Sequence, residues 1–382
     1  MVTDLADTFA DIRPYKDSEV SEVVKRLQRD ADFADAMARL YFGRSYRFAP
    51  AMARRIAGLW LTFKLRSVDS IDAFQHLVAP LLDRQLQRTA RYSHSGLMGL
   101  DQRTSWLFIS NHRDIAMDPA LANHAIYHAG YRTLSVAIGD NLLREPWVAD
   151  LMRLNKCFIV KRGLSGPREL LAASKHLSSF IRWMIAGDRS SIWIAQREGR
   201  AKDGCDTTEA AVIKMLALSR DKSAESLSGV LNALRIVPLA ISYELDPCDA
   251  QKAAELAAGA GYTKAENEDV QSIARGITGQ KGAVHLAFGQ PIEGEDLTIE
   301  SVVEEIDRQI TTHYRLYHTH LWAWQRLEQT DAEPSLTIYP GTVERAAFDA
   351  RMDAIPEDHR QIALEIYANP LRRALQAQAL AT

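Results

Sequence analysis

An α/β fold, with a mostly parallel sheet covered by helices and flanked by helical regions at both ends, follows from three observations. Between residues 105 and 292, short apolar runs of strand length alternate with longer segments of helical period. The runs are apolar on both faces, as strands are when helices cover both sides of a parallel sheet. Before residue 100 and after residue 297 the spacing is helical alone. The chain therefore reads as a helical region over 1–100, an α/β domain over 101–297 and a helical region over 298–382.

Taken in order, Val20, Val23, Val24 and Leu27 fall on one helical face, and Phe33, Met37, Leu40 and Tyr41 on the next. Over residues 50–67, Met52, Ile56, Leu59, Trp60 and Phe63 alternate with Arg54, Arg55, Lys64 and Arg66. That is a basic amphipathic helix. It suits either a core-packed helix with a solvated basic face or one lying on anionic lipid, with Trp60 and Phe63 inserted. A further helix is expected over 69–93. Strands are expected at 106–110, 134–138, 157–161, 191–195, 235–243 and 284–288, with helices at 119–129, 141–154, 167–186 and 208–219. Pro238 lacks a ladder donor, which predicts an edge position or a bulge for its strand. Residues 247–281, rich in Ala, Gly and charge, read as an exposed excursion with one or two helices. Tyr314, Tyr317, Trp322 and Trp324 have the spacing of core-packing aromatics.

The 382 residues carry a net charge of −3, with 47% hydrophobic and 25% charged residues, ordinary values for a globular chain with a sizeable core. The near-neutral balance argues against a general nucleic-acid binder. Cys157, Cys205 and Cys248 are far apart and form neither a CxxC pair nor a zinc spacing, which fits a reduced compartment. The acidic start has no apolar core of a signal peptide. No apolar run reaches the ~18 residues of a membrane span, so membrane contact is expected only from the surface.

Chemistry gathers at strand ends, where open α/β sheets bind their ligands. The run ending at Ile109 gives way to Ser110-Asn111-His112-Arg113-Asp114, and Asp118-Pro119 then reads as N-cap and first residue of a helix. A histidine oriented by a carboxylate can act as a general base. Asp118 and Asp114 are both candidates for that partner. On the plainer reading, Asp118 only caps the helix and His112 is a loop residue. The strand ending in Lys161-Arg162-Gly163 delivers two cations just before a helix that opens near Pro167, a setting that suits a phosphate. Gln196-Arg197-Glu198-Gly199-Arg200 ends another buried strand, with a glycine that lets the backbone approach a ligand.

These blocks, with Val237-Pro238 after them, resemble the glycerolipid acyltransferases, the family of glycerol-3-phosphate and 1-acylglycerol-3-phosphate acyltransferases. Asn111-His112 and the following Asp match the family's NH(x)4D block. Phe158-Ile159-Val160-Lys161-Arg162 match its G-x-I-F-I-x-R block, Glu198-Gly199 its F-P-E-G-T-R block, and Val237-Pro238 its V-P-hydrophobic block. The likeness spans roughly residues 100–295. It departs in detail: Asp118 stands one residue beyond the family spacing, where Met117 sits. Gln196-Arg197 replace Phe-Pro, Arg200 stands at the Thr position, and Ala201 at the Arg position.

The resemblance implies acyl transfer from an acyl thioester, acyl-CoA or acyl carrier protein, to a hydroxyl of a glycerol-phosphate type acceptor in phospholipid synthesis. His112 is then the base, partnered by Asp118 or Asp114. Lys161, Arg162, Arg197, Glu198, Gly199 and Arg200 form the acceptor site. No metal or other cofactor is implied, the thioester being a co-substrate. The implied location is cytoplasmic, peripheral on the inner face of the cell membrane. Three other readings stay open on the residues: a non-phosphate lipid acceptor, a non-catalytic lipid-binding protein, and a metal-dependent hydrolase with His112, Asp114 and Asp118 as ligands.

Overall fold

A computed structural model describes residues 5–187, 189–263 and 268–381. The chain forms two compact units, each discontinuous in sequence. Unit 1 holds the chain up to Asp83 together with Ser135–Phe180, and unit 2 holds Arg84–Leu134 with the residues from Ile181 onward. The units cut across the linear regions 1–100, 101–297 and 298–382, because two of the strands group with the N-terminal helices.

Seven strands matter here: β1 (Ala90–Ser95), β2 (Leu107–Ser110), β3 (Ser135–Gly139), β4 (Cys157–Val160), β5 (Ile192–Ala195), β6 (Ile236–Tyr243) and β7 (Gly282–Phe288). In unit 2, five of them bond in the order β1-β7-β6-β2-β5. The pairs β1–β7, β6–β2 and β2–β5 are parallel, and β6–β7 is antiparallel. Every residue of β2 and β6 is buried, which is why both read as continuous apolar runs rather than alternating ones. In unit 1, β3 and β4 pair parallel. The mostly parallel α/β arrangement is thus the one the apolar runs predict.

Unit 1 packs its helices around Val20, Val23, Val24, Leu27, Phe33, Leu61, Leu65 and Phe74, including the helical face expected at its start. In unit 2, the helices His318–Glu328 and Glu357–Ala381 share a core of Leu245, Ala323, Phe348, Met352 and Tyr367. Trp322 and Trp324 lie against it and Tyr317 is buried, so these aromatics do pack on the core.

Four expectations are corrected. The helix expected over 69–93 is Ile71–Thr89, and β1 follows it directly. As the outermost strand of its sheet, β1 is largely solvent-exposed and carries no apolar run. Its Ser93 and Ser95 hydroxyls instead hold the two ring nitrogens of the buried His285, at 2.8 and 2.9 Å. Pro238 is not on an edge, because β6 lies between β7 and β2. Odd positions of β6 face β2, with Arg235 O accepting from Leu107 N and Ile241 N donating to Asn111. Pro238 therefore faces β7, whose ladder starts at Leu239, so the missing N–H falls at the end of that ladder. Its carbonyl still accepts from Gly289 N at 2.8 Å.

The third correction concerns 247–281, apart from 264–267, which lie outside the described residues. This stretch is no exposed excursion: its helices Asp249–Ala258 and Glu268–Thr278 bury Asp249 and Lys252, and Lys281 after them is buried too. Charged side chains hide from a composition reading when ion pairs and carbonyls compensate them. The fourth is the helix expected from 119, which begins at Met117.

Candidate active site

The site grows out of the end of β2. Ser110 closes the strand, and the side chain of Asn111 replaces the next rung of the ladder. Its Oδ1 accepts from Ile241 N at 2.7 Å and its Nδ2 donates to Ile241 O at 2.9 Å. The backbone is thereby fixed one residue before His112. The turn to the helix Met117–His128 follows, and two aspartates divide its work. Asp114 Oδ1 accepts from the amides of Ala116 and Met117 at 3.0 and 2.9 Å, so Asp114 caps the helix. Asp118, expected as the cap, lies inside the first turn and is 0% exposed. Its carboxylate turns back into the loop.

Asp118 Oδ2 meets His112 Nδ1 at 2.9 Å, Arg113 N at 2.6 Å and Asp114 N at 2.9 Å. Oδ1 accepts from the Tyr243 hydroxyl at 2.7 Å. An oxygen that already accepts two amide N–H groups can only accept from the imidazole. That places the histidine proton on Nδ1 and leaves Nε2 as the basic nitrogen. The ring of Trp193 stands edge-on to His112, with centroids 5.5 Å apart. The His112 side chain keeps 14% of its surface open, whereas Asp118 behind it is fully buried. Of the two candidate partners, the geometry joins Asp118 to His112 and gives Asp114 to the helix. It also separates the ligand set of a metal hydrolase: Asp118 faces His112, while Asp114 faces amides.

Burial, and next the charge of Asp118, push the Asp114 carboxyl above its ordinary range, with the Met117 and Ala116 amides offsetting part of the effect. Gly276 allows this close packing, since a Cβ there would lie 2.0 Å from Asp114 Oδ2. Burial, with Asp118 beside it, also pushes the Tyr243 phenol well above its ordinary value. Tyr243 therefore stays protonated and donates. Tyr243→Phe should leave Asp118 Oδ1 buried without a donor and cost about 1–3 kcal/mol of unfolding free energy. Urea unfolding of the variant checks this, and unchanged stability would show that the phenol does not support Asp118.

The loop after β5 docks on the same turn. Ala201 N donates to His112 O at 2.9 Å, and Gln196 N to Ser110 O at 2.8 Å. Arg113, buried, crosses to this loop through Asp206, with Nε to Oδ2 at 3.0 Å. Burial opposes its charge, but Asp206 and Asp246 outweigh that and raise the Arg113 pKa. Arg197, Gly199 and Arg200 are half-buried and Glu198 is exposed. Gly199 has φ +72° and open space where a Cβ would be, so it serves the left-handed turn rather than a tight contact. Arg197 Nε, 3.8 Å from Glu209, is buried with no hydrogen-bond partner.

Three of the four expected blocks, those at His112, Glu198 and Val237, thus meet in unit 2. The fourth stands in unit 1, where Lys161 is paired with Asp11 and Arg162 N donates to Asp140 Oδ1 at 3.2 Å. Sequence reasoning missed Asn111, Arg113, Asp206, Tyr243 and Lys252 as supports of the turn. Lys252 Nζ donates to Arg113 O at 2.7 Å and pairs with Asp246. Asn111 and Arg113 had a readable signal, their place on either side of His112 at the strand end.

The family model described as Acyltransferase matches residues 91–227. No curated protein sequence matches the chain. Among solved structures, the 1-acyl-sn-glycerophosphate (LPA) acyltransferase PlsC from Thermotoga maritima is similar at 12% identity. The match covers 72% of this chain and 95% of that one, with a TM-score of 0.36.

Proposed function

We propose that this chain, whose residues 91–227 match the acyltransferase family model, moves a fatty acyl group from an acyl thioester to a hydroxyl of a glycerol-phosphate type acceptor. The donor is acyl-CoA or an acyl carrier protein, and the setting is phospholipid synthesis. The observation that carries the reading is the pairing of His112 Nδ1 with buried Asp118 at 2.9 Å, which leaves Nε2 free to take a proton.

In this reading, Nε2 removes the acceptor's hydroxyl proton as the oxygen attacks the thioester carbonyl. The C–O bond forms, the C–S bond breaks, and the proton passes from the imidazolium to the departing thiolate. Asp118 holds the ring in register and stabilises its positive charge. The acceptor's phosphate calls for cations. Arg197 and Arg200 stand on the loop tied to His112 O through Ala201, with Glu198 and Gly199 shaping the turn between them.

The test is a transfer assay with labelled acyl-CoA and acyl carrier protein against glycerol 3-phosphate and its 1-acyl derivative. Wild type should form ester product, and His112→Ala should form at least about a hundredfold less. Equal turnover by His112→Ala would remove the histidine from the chemistry, and no product with any pair would remove the proposed substrates.

A further inference from the structure

The helix Pro50–Leu65 of unit 1 is built the wrong way round for a soluble surface. It packs inward through Ala53, Ala57, Leu61 and Leu65. Its larger apolar residues point out: Met52 is 62% exposed, Ile56 46%, Leu59 66% and Phe63 57%. At 3.6 residues per turn these four form one continuous stripe opposite the packed face. Tyr41 and Phe48, from the segment just before, are also exposed, at 63% and 83%. Trp60, expected to insert, instead packs partly into the core and lies 5.8 Å from Tyr41. Single exposed apolar residues need no explanation, but six in one short stretch of chain do.

Charge says what covers them. From residue 36 to 68 the sequence holds seven Lys and Arg and no acidic residue, in a chain whose net charge is −3. Arg47, Arg54, Arg55, Lys64 and Arg66 are exposed, with Arg54 near Asp35 and Arg66 over the Phe63 ring at 4.3 Å. Among the described residues no helix is long and apolar enough to cross a membrane. An apolar stripe edged by cations suits the plane of an anionic bilayer, where side chains enter the acyl boundary and cations meet phosphates.

We infer that unit 1 docks on anionic lipid through Met52, Ile56, Leu59 and Phe63, with Arg47, Arg55 and Arg66 set against the headgroups. The surface binds flat and reversibly, and added salt weakens it.

The experiment is flotation of the full chain with vesicles of phosphatidylglycerol and phosphatidylcholine in equal parts, beside pure phosphatidylcholine. It needs no enzymatic readout, so it stands apart from the acyl-transfer assay. Wild type should float with the anionic vesicles and sink with the neutral ones. Both Met52→Ser/Leu59→Ser/Phe63→Ser and Arg47→Glu/Arg55→Glu/Arg66→Glu should lower anionic binding by about tenfold or more. All six side chains are exposed, so thermal melts should be unchanged, which separates lost docking from lost folding. Wild type that stays unbound, or variants that bind as well as wild type, would overturn the inference. So would a solution dimer that the apolar variant splits without any vesicle binding, since a second copy would then cover the stripe.

Discussion

Asp118→Asn should fold with the site geometry intact and lose about a thousandfold or more in kcat for acyl transfer. The amide can present its oxygen to the three donors now on Oδ2, namely His112 Nδ1, Arg113 N and Asp114 N. Its NH2 then faces the Tyr243 hydroxyl, which can turn to accept. Packing and tautomer survive, but the negative charge does not. In the proposed reaction His112 becomes an imidazolium at the moment of attack, in a site walled by Trp193 and closed behind by the 0% exposed Asp118. A charge that forms in a low-dielectric pocket gains most from a fixed opposite charge at hydrogen-bond distance. Single-turnover kinetics beside circular dichroism check this. A well-folded Asp118→Asn within about tenfold of wild type would mean that the carboxylate is structural. Asp114→Asn is the contrast, since Asp114 touches helix amides rather than His112. It should alter stability more than kcat.

How much of this could be read from the chain differs by element. The buried strands were legible because continuous apolar runs have no other use in a globular chain than burial on both faces. His112 was legible as a base because it stood where β2 ends with carboxylates close by. Which carboxylate was not, since Asp114 and Asp118 differ only in how the turn between them closes, and Asp118-Pro119 looks like a cap from sequence alone. Strand β1 was invisible because an outermost strand needs no apolar face, and its serines serve His285 rather than the core. The helix Pro50–Leu65 was legible as amphipathic, but not in its orientation. Alanine rows pack closely and contribute little to any hydrophobicity pattern, so the spacing leaves open whether the large residues face the core or a lipid surface. Lys252 was the least legible of all: nothing in an Ala-rich charged stretch announces that one lysine will be 1% exposed.

That buried lysine gives the largest stability effect expected here. Lys252 Nζ pairs with Asp246 and donates to Arg113 O at 2.7 Å. Burial alone would raise the Asp246 carboxyl, but Lys252, the Cys248 amide and Arg113 outweigh it and hold the pKa below its ordinary value. Lys252→Met keeps the volume and removes the charge. It leaves Asp246 with the Cys248 amide at 2.8 Å and Arg113 O without this donor. Breaking a buried pair from one side costs about 3–5 kcal/mol, whereas replacing both partners with apolar groups is often near neutral. The double variant Lys252→Met/Asp246→Leu should therefore recover most of the loss in chemical denaturation followed by a unit 2 tryptophan. Activity should separate the two roles. The double variant regains stability but still lacks the ammonium under Arg113 O, one peptide from the amide that Arg113 gives to Asp118. A stable double variant with wild-type kcat would show that the lysine supports only the fold. A stable one with kcat still low would place Lys252 behind the turn that holds His112.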